Sequence, residues 1–207
     1  MTTYDQDRHH RRSVRWRGYD YRQVGAYFLT LCSVERALLF GDIVDGQMCL
    51  NEIGQLVATL WRQSPLIRPT LAMDAFVVMP NHLHGIVFIT DAPTVTSDRA
   101  SAAATTVGAH SRAPHPRTPV TRPTCQTVHR PARSIGSFVA GFKAATSREV
   151  NRLRNAPGTP IWQRNYYDRV IRDEAELQRI RQYIIDNPRR WAEDEDHPDR
   201  LRIVQRS

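Results

Sequence analysis

Residues 91–133 carry six prolines and eight threonines but no Phe, Trp or Tyr, and six arginines stand against two aspartates. Such a stretch holds too little apolar surface to offset the entropy lost on ordering it, so it is expected to be a disordered basic insertion. Any folded unit must therefore be assembled from the segments on either side. The 207 residues suit one packed domain. We expect that domain over 11–191, interrupted by the insertion 91–133. A basic tail over 1–10 precedes it, and a partly disordered tail over 192–207 follows it. His110, His115 and His129 fall in the insertion, where no rigid element would hold them for metal binding.

The flanking segments have clear periodicity. Tyr27–Ser33 and Ala37–Val44 are β-type apolar runs, the second ending at the turn signal Asp45-Gly46. Ile53, Leu56, Val57, Leu60 and Trp61 recur at helical spacing behind Asn51, a candidate N-cap, with Pro65 expected just past the helix end. Asp74–Met79 and Leu83–Thr90 read as strands around Pro80-Asn81. After the insertion, Ile135, Phe138, Val139, Phe142, Val150 and Leu153 predict a helix of about five turns. Trp162–Arg172 alternates like a strand. Asp173 and Glu176 have capping-box spacing ahead of a helix whose buried stripe is Leu177, Ile180 and Ile184, and Pro188 ends it.

The net charge of +8 points to a polyanionic partner, with nucleic acid the usual one. Lys143 is the only lysine. Arginine forks onto phosphate and guanine edges, although codon bias in a GC-rich genome accounts for most of such a skew. Cys32, Cys49 and Cys125 are scattered, which argues against a disulfide framework and a zinc ribbon and makes a reducing cytoplasm the expected location. No apolar run approaches a membrane span, so no membrane partner is expected.

Chemistry concentrates in Met79-Pro80-Asn81-His82-Leu83-His84-Gly85. Alternate residues of a strand share a face, so His82 and His84 point the same way. Such a pair can bind a metal, act as acid and base, or be satisfied polar residues. Asn81 could add a carbonyl ligand or a hydrogen bond. No Asp or Glu stands near the motif except Asp74 on the preceding strand. A hundred residues later, Tyr183 and Asn187 are four apart and share a helix face with Arg179 and Glu176, away from the apolar stripe.

Five ordered blocks carry a resemblance: RRSVRWRGYDYRQVGAYFLTLCS, LLFGDIVDGQMCLNEIGQLV, FVVMPNHLHGIV, SIGSFVAGFKAATSREVNRLR and WQRNYYDRVIRDEAELQRIRQYIIDNPRRW. The chain resembles the REP-associated tyrosine transposases, a branch of the HUH single-tyrosine nucleases and transposases with an IS200-like domain. The resemblance spans most of 11–191 and says nothing about the insertion. It implies an α+β fold, a ferredoxin-like antiparallel sheet with helices packed on one face. It also implies that His82, His84 and Asn187 ligate a metal and that Tyr183 is the nucleophile.

Two imidazoles and an amide carbonyl bring no negative charge, so a divalent cation would keep its full charge for a phosphate. The absence of thiolates favours Mg²⁺ or Mn²⁺ over structural zinc. Attack by Tyr183 would give a 5′-phosphotyrosine intermediate and a free 3′-hydroxyl, with the metal, Arg179 or Lys143 favouring the phenolate. The implied function is DNA transposition on hairpin-forming single-stranded DNA with palindromic (REP) repeats. The enzyme would be a cytoplasmic, nucleoid-associated monomer or homodimer with no organic cofactor. The alternative is a non-catalytic, sequence-specific hairpin-binding protein. Candidate DNA contacts are Arg11, Arg12, Arg15, Trp16 and Arg17, then Lys143, Arg148 and Arg152, then Trp162 and Arg164.

Overall fold

The protein is seen here in a computed structural model that describes residues 20–91, 134–194 and 196–199. The expected basic tail 1–10, the cluster Arg11, Arg12, Arg15, Trp16 and Arg17, and all of the insertion beyond Asp91 lie outside the described residues. So do His110, His115, His129 and Cys125.

Strand β1 (Gly25–Cys32) is followed by a hairpin of β2 (Gly41–Val44) and β3 (Gln47–Leu50). Helix α1 (Glu52–Ile67), strands β4 (Leu71–Val78) and β5 (His82–Ile89), helix α2 (Ile135–Leu153), strand β6 (Tyr167–Ile171) and helix α3 (Glu174–Asp186) complete the order. The hairpin turns at Asp45 and Gly46, both left-handed at φ 51° and 71°, the pair of conformations that matches the twist of a two-residue hairpin. Asn51 caps α1 by accepting from the Gly54 amide, and Ser134 caps α2 by accepting from Ser137.

Apart from the hairpin, the order is βαββαβ. The four main strands lie β4-β5-β1-β6 and every neighbouring pair is antiparallel, so this is the ferredoxin-like split arrangement. Some boundaries differ from those read in the sequence. The second strand begins only at Gly41, and Trp162 makes an isolated bridge to Ser33 instead of extending β6. Pro65 lies inside the last turn of α1, because a proline there forfeits one backbone bond while Arg68 still donates to the Ser64 carbonyl.

The two sheet faces are covered differently. Tyr27, Leu29 and Leu31 of β1 and Leu83 and Val87 of β5 pack with Trp61 of α1 and with Phe138 and Phe142 of α2. Trp61 meets Phe142 edge-on at 5.1 Å. A Cβ built on Gly85 would sit 2.4 Å from Trp61 Cζ2, so the glycine of the His-Leu-His-Gly stretch is what lets the indole lie against β5. Helices α1 and α2 thus share one face, as expected. The third helix corrects the expectation of one-sided packing. Leu177 and Ile184 of α3 pack on Ala26, Phe28, Ile86 and Ile171, on the opposite face.

That second contact rests on few apolar groups. A buried Leu or Ile contributes roughly 1.5–3 kcal/mol, so polar ties carry comparable weight in seating α3. Asp173 accepts from the Glu176 amide, while Glu176 accepts from the Arg172 amide and pairs with Arg169. Arg181 reaches Asp74 on β4 at 2.6 Å. The bond from the Arg172 amide, with the Arg169 guanidinium beside it, holds the Glu176 carboxyl below its ordinary range.

Two outcomes follow from this packing. Gly85→Ala should destabilise the protein by about 1–3 kcal/mol in urea unfolding, and an unchanged midpoint would show that Trp61 yields freely. The Glu176 contribution is complete above the ordinary carboxylate range and is lost as pH falls through the lowered folded value. Glu176→Gln should therefore flatten the acid limb of the stability–pH curve, and an equally steep limb in the variant would refute the assignment.

Candidate active site

The α3-facing side of the sheet changes character along its length. At one end β1 and β5 present Ala26, Phe28, Ile86 and Phe88; at the other they present Thr30, Cys32, His84 and His82. The antiparallel register sets Thr30 opposite His84 and Cys32 opposite His82. Both histidines are buried, at 0% and 4% exposure, with ring centroids 4.4 Å apart. Thr30 Oγ1 lies 2.9 Å from His84 Nδ1, and the Phe28 ring stacks on the same imidazole at 5.3 Å. Asn81 Oδ1 lies 2.8 Å from His82 Nδ1.

Helix α3 begins where β6 ends, opposite Ala26, and carries Tyr183 in its last turn. The Tyr183 hydroxyl lies 3.2 Å from His84 Nε2, although the residue is 41% exposed. Its ring meets Phe28 edge-on at 6.1 Å, so the phenol reaches inward past an apolar support while one side stays open. Asn187 opens a 3-10 helix, Asn187–Glu193, with Pro188 at its start. Asn187 is buried, its Nδ2 donates to Asp194 Oδ2 at 3.3 Å, and its Oδ1 has no hydrogen-bond partner among the described residues. A buried carbonyl oxygen in that state is costly unless a further group meets it.

The segment after Trp191 departs most from expectation. It was expected to be a partly disordered tail, yet Asp194 and Asp196 return to the histidines. His82, His84 and Asp194 each offer a ligand atom, and these atoms lie within 4.8 Å of one another. Asp196 is buried, paired with Arg36, with Oδ2 3.9 Å from His82 Nδ1 and 3.9 Å from Cys32 Sγ. Asp194 Oδ1 accepts from the Asp196 amide at 2.7 Å, which closes the turn. Two expectations are thereby corrected: the site is not free of negative charge, and Asp74 is not the carboxylate beside it. Asp74 is engaged with Arg181. The tail escaped the sequence reading because its burial depends on Arg36 and Asn81, more than a hundred positions earlier.

His82, His84 and Asp194 offer two imidazole nitrogens and a carboxylate oxygen, a group that could hold a metal ion. It contains no thiolate, since Cys32 Sγ is directed to Asp196. Nitrogen and carboxylate donors of this kind fit a hard divalent cation.

The tentative DNA-contacting residues are placed unevenly. Trp162 is a core residue and not a stacking platform, because its Nε1 donates to Thr146 Oγ1 at 2.7 Å and its ring packs on Phe40. Lys143 donates to the carbonyls of Gln163 and Asn165, both at 2.8 Å. It sits on α2, across the sheet from Tyr183, and so is not the cation beside the phenol. Arg148 and Arg152 are exposed and flank Glu149, and Arg164 is exposed. Arg179 is exposed one turn before Tyr183.

No protein-family model matches the sequence. A curated relative, an uncharacterized protein of Haemophilus influenzae, is 36% identical over 200 residues, covering 96% of this chain and 100% of the relative. The chain belongs to the family of that protein. Among solved structures, the chain is similar to a REP-associated tyrosine transposase bound to a REP hairpin, with 16% identity, a TM-score of 0.48, and coverage of 91% of this chain and 73% of the other. It is also similar to a Deinococcus radiodurans protein provisionally classed as a transposase, with 19% identity, a TM-score of 0.39, and coverage of 83% and 95%. Among the described residues no helix is long and apolar enough to cross a membrane.

Removing one partner of the Arg36–Asp196 pair strands a carboxylate that is 3% exposed. Arg36→Ala should cost about 3 kcal/mol in urea unfolding, and adding Asp196→Ala should recover part of it. Additive losses would show that the two side chains are not coupled.

Proposed function

We propose that this protein is a metal-dependent DNA nicking and strand-transfer enzyme, a single-tyrosine HUH transposase acting on hairpin-forming single-stranded DNA. The observation that carries the reading is the Tyr183 hydroxyl 3.2 Å from His84 Nε2, on the imidazole pair that shares ligand geometry with Asp194. A tyrosine with only a surface role has no reason to direct its hydroxyl at such a cluster.

His82, His84, Asp194 and Asn187 would hold the cation. A bound Mg²⁺ or Mn²⁺ supplies Lewis-acid polarisation of the scissile phosphate and electrostatic support for a phenolate. The remaining work falls to the chain. An unperturbed phenol titrates near ~10, so Tyr183 needs help to lose its proton: with His84 Nε2 given to the cation, the positive charge held there would favour the phenolate, and the proton would leave to solvent past the open side of the ring. The Tyr183 oxygen attacks phosphorus, a tyrosyl O–P bond forms, and the P–O3′ bond breaks. The departing 3′-oxygen takes up a proton. A 5′-phosphotyrosine results and the number of phosphoester bonds is unchanged, so a 3′-hydroxyl can reverse the step without ATP.

Two features support the choice of substrate. The net charge of +8 suits a polyanion, and Arg148, Arg152 and Arg164 are exposed. In-line attack also needs a flexible backbone, which a single strand beside a folded hairpin provides. The 3.2 Å approach of the Tyr183 hydroxyl to His84 is made within one chain, which supports action in cis.

With Mn²⁺ and a labelled hairpin carrying a single-stranded flank, the wild type should nick the flank and retain label on denatured protein. Tyr183→Phe should lose the adduct and at least about a thousandfold of the nicking rate while still shifting the hairpin. An adduct that survives in the variant would exclude Tyr183 as nucleophile. Hairpin binding by the wild type without cleavage in any divalent metal would favour the non-catalytic reading.

A further inference from the structure

The amide of Asn81 faces three groups that together leave it one orientation. It is fully buried in the turn between β4 and β5. Its Nδ2 lies 2.7 Å from the Asp196 carbonyl oxygen and 3.2 Å from the Arg36 carbonyl oxygen. Backbone carbonyls only accept, so the amide nitrogen must point at them and Oδ1 must point the other way, 2.8 Å from His82 Nδ1. A rotated amide would set Oδ1 against two carbonyl oxygens and Nδ2 against the ring. The turn itself is pinned, since Ser33 donates to the Asn81 carbonyl and Met79 to the His82 carbonyl.

An acceptor at Nδ1 decides the imidazole. We infer that Asn81 is a positioning residue that holds neutral His82 as its Nδ1–H tautomer, placing the lone pair on Nε2, the atom left to act as a ligand. The functional half of this inference rests on the metal-site reading above. The Asp196 carboxylate, 3.9 Å from the same nitrogen, favours the same proton position, so the tail and the turn select one tautomer together. Arg36 takes part twice, through its carbonyl on Asn81 and its guanidinium on Asp196. The effect needs no contact between Asn81 and a metal or substrate, and such outer partners of a ligating histidine typically change metal affinity 10–100-fold.

The test uses the full chain, metal-free, with ¹⁵N-labelled histidine and the His82 signals assigned by their loss in His82→Gln. Wild-type protein should show the Nδ1–H tautomer at His82, and an Nε2–H tautomer there would overturn the inference without any variant. In Asn81→Ala the ring should shift toward a tautomer mixture, and Mn²⁺ affinity, read from the free-ion paramagnetic resonance signal, should fall 10–100-fold. An unchanged tautomer in Asn81→Ala refutes the role. If the tautomer responds as expected but wild type binds no Mn²⁺, the positioning role stands and the metal-site reading falls.

Discussion

Two imidazoles buried side by side at the end of a β-sheet constrain everything around them. Neither can be left to water, so each needs a fixed partner on the nitrogen that faces the fold. For His84 that partner is Thr30, directly across the β1–β5 ladder. For His82 it is Asn81, its own neighbour, because the opposite residue is Cys32, a weak hydrogen-bonding group. The two rings are therefore secured by different means, one by strand register and one by a turn. The turn in turn needs something to hold the Asn81 amide, and the carbonyls of Arg36 and Asp196 do so.

This dependence explains why an acidic tail packs against a strongly basic protein's most buried polar groups. Burying Asp196 would be prohibitive alone, but the Arg36 guanidinium and the Cys32 thiol meet its carboxylate. Asp194 is held more lightly, by Asn187 and the Asp196 amide, and is only partly buried. A site with Asp194 in its ligand set reduces the net charge that a divalent cation presents to a phosphate. It also binds that cation more firmly than two imidazoles and an amide would.

Much of this was legible in the sequence, for physical reasons that differ by element. The apolar run through Leu83–Thr90 and the spacing of Tyr183 and Asn187 are local, and local pattern survives folding. The caps Asn51 and Asp173 act within three residues of themselves and could be read for the same reason. Trp162 could not. Its aromatic ring beside arginines looks the same whether it stacks on a base or on Phe40. Thr30, Arg36, Asp194 and Asp196 were missed because each owes its role to a partner far away in sequence. The Glu176 half of the capping box also went elsewhere. Its carboxylate accepts from the Arg172 amide, tying α3 back to the end of β6.

The gradient of exposure across the site carries a last consequence. His82, His84 and Asn187 are at most 4% exposed, whereas Tyr183 is 41% exposed. On the proposed reading, these three ligands lie on the closed side, Asp194 is partly open, and the nucleophile lies on the open side. A phosphate must then arrive past Tyr183, along the α3 face of the sheet. The exposed arginines of α2 lie across the sheet from that entrance. Any DNA they hold must wrap an edge to reach it, which a flexible single strand leaving a hairpin does more readily than a rigid duplex. Arg179, exposed one turn before Tyr183, is on the entry side and is better placed to meet the arriving backbone.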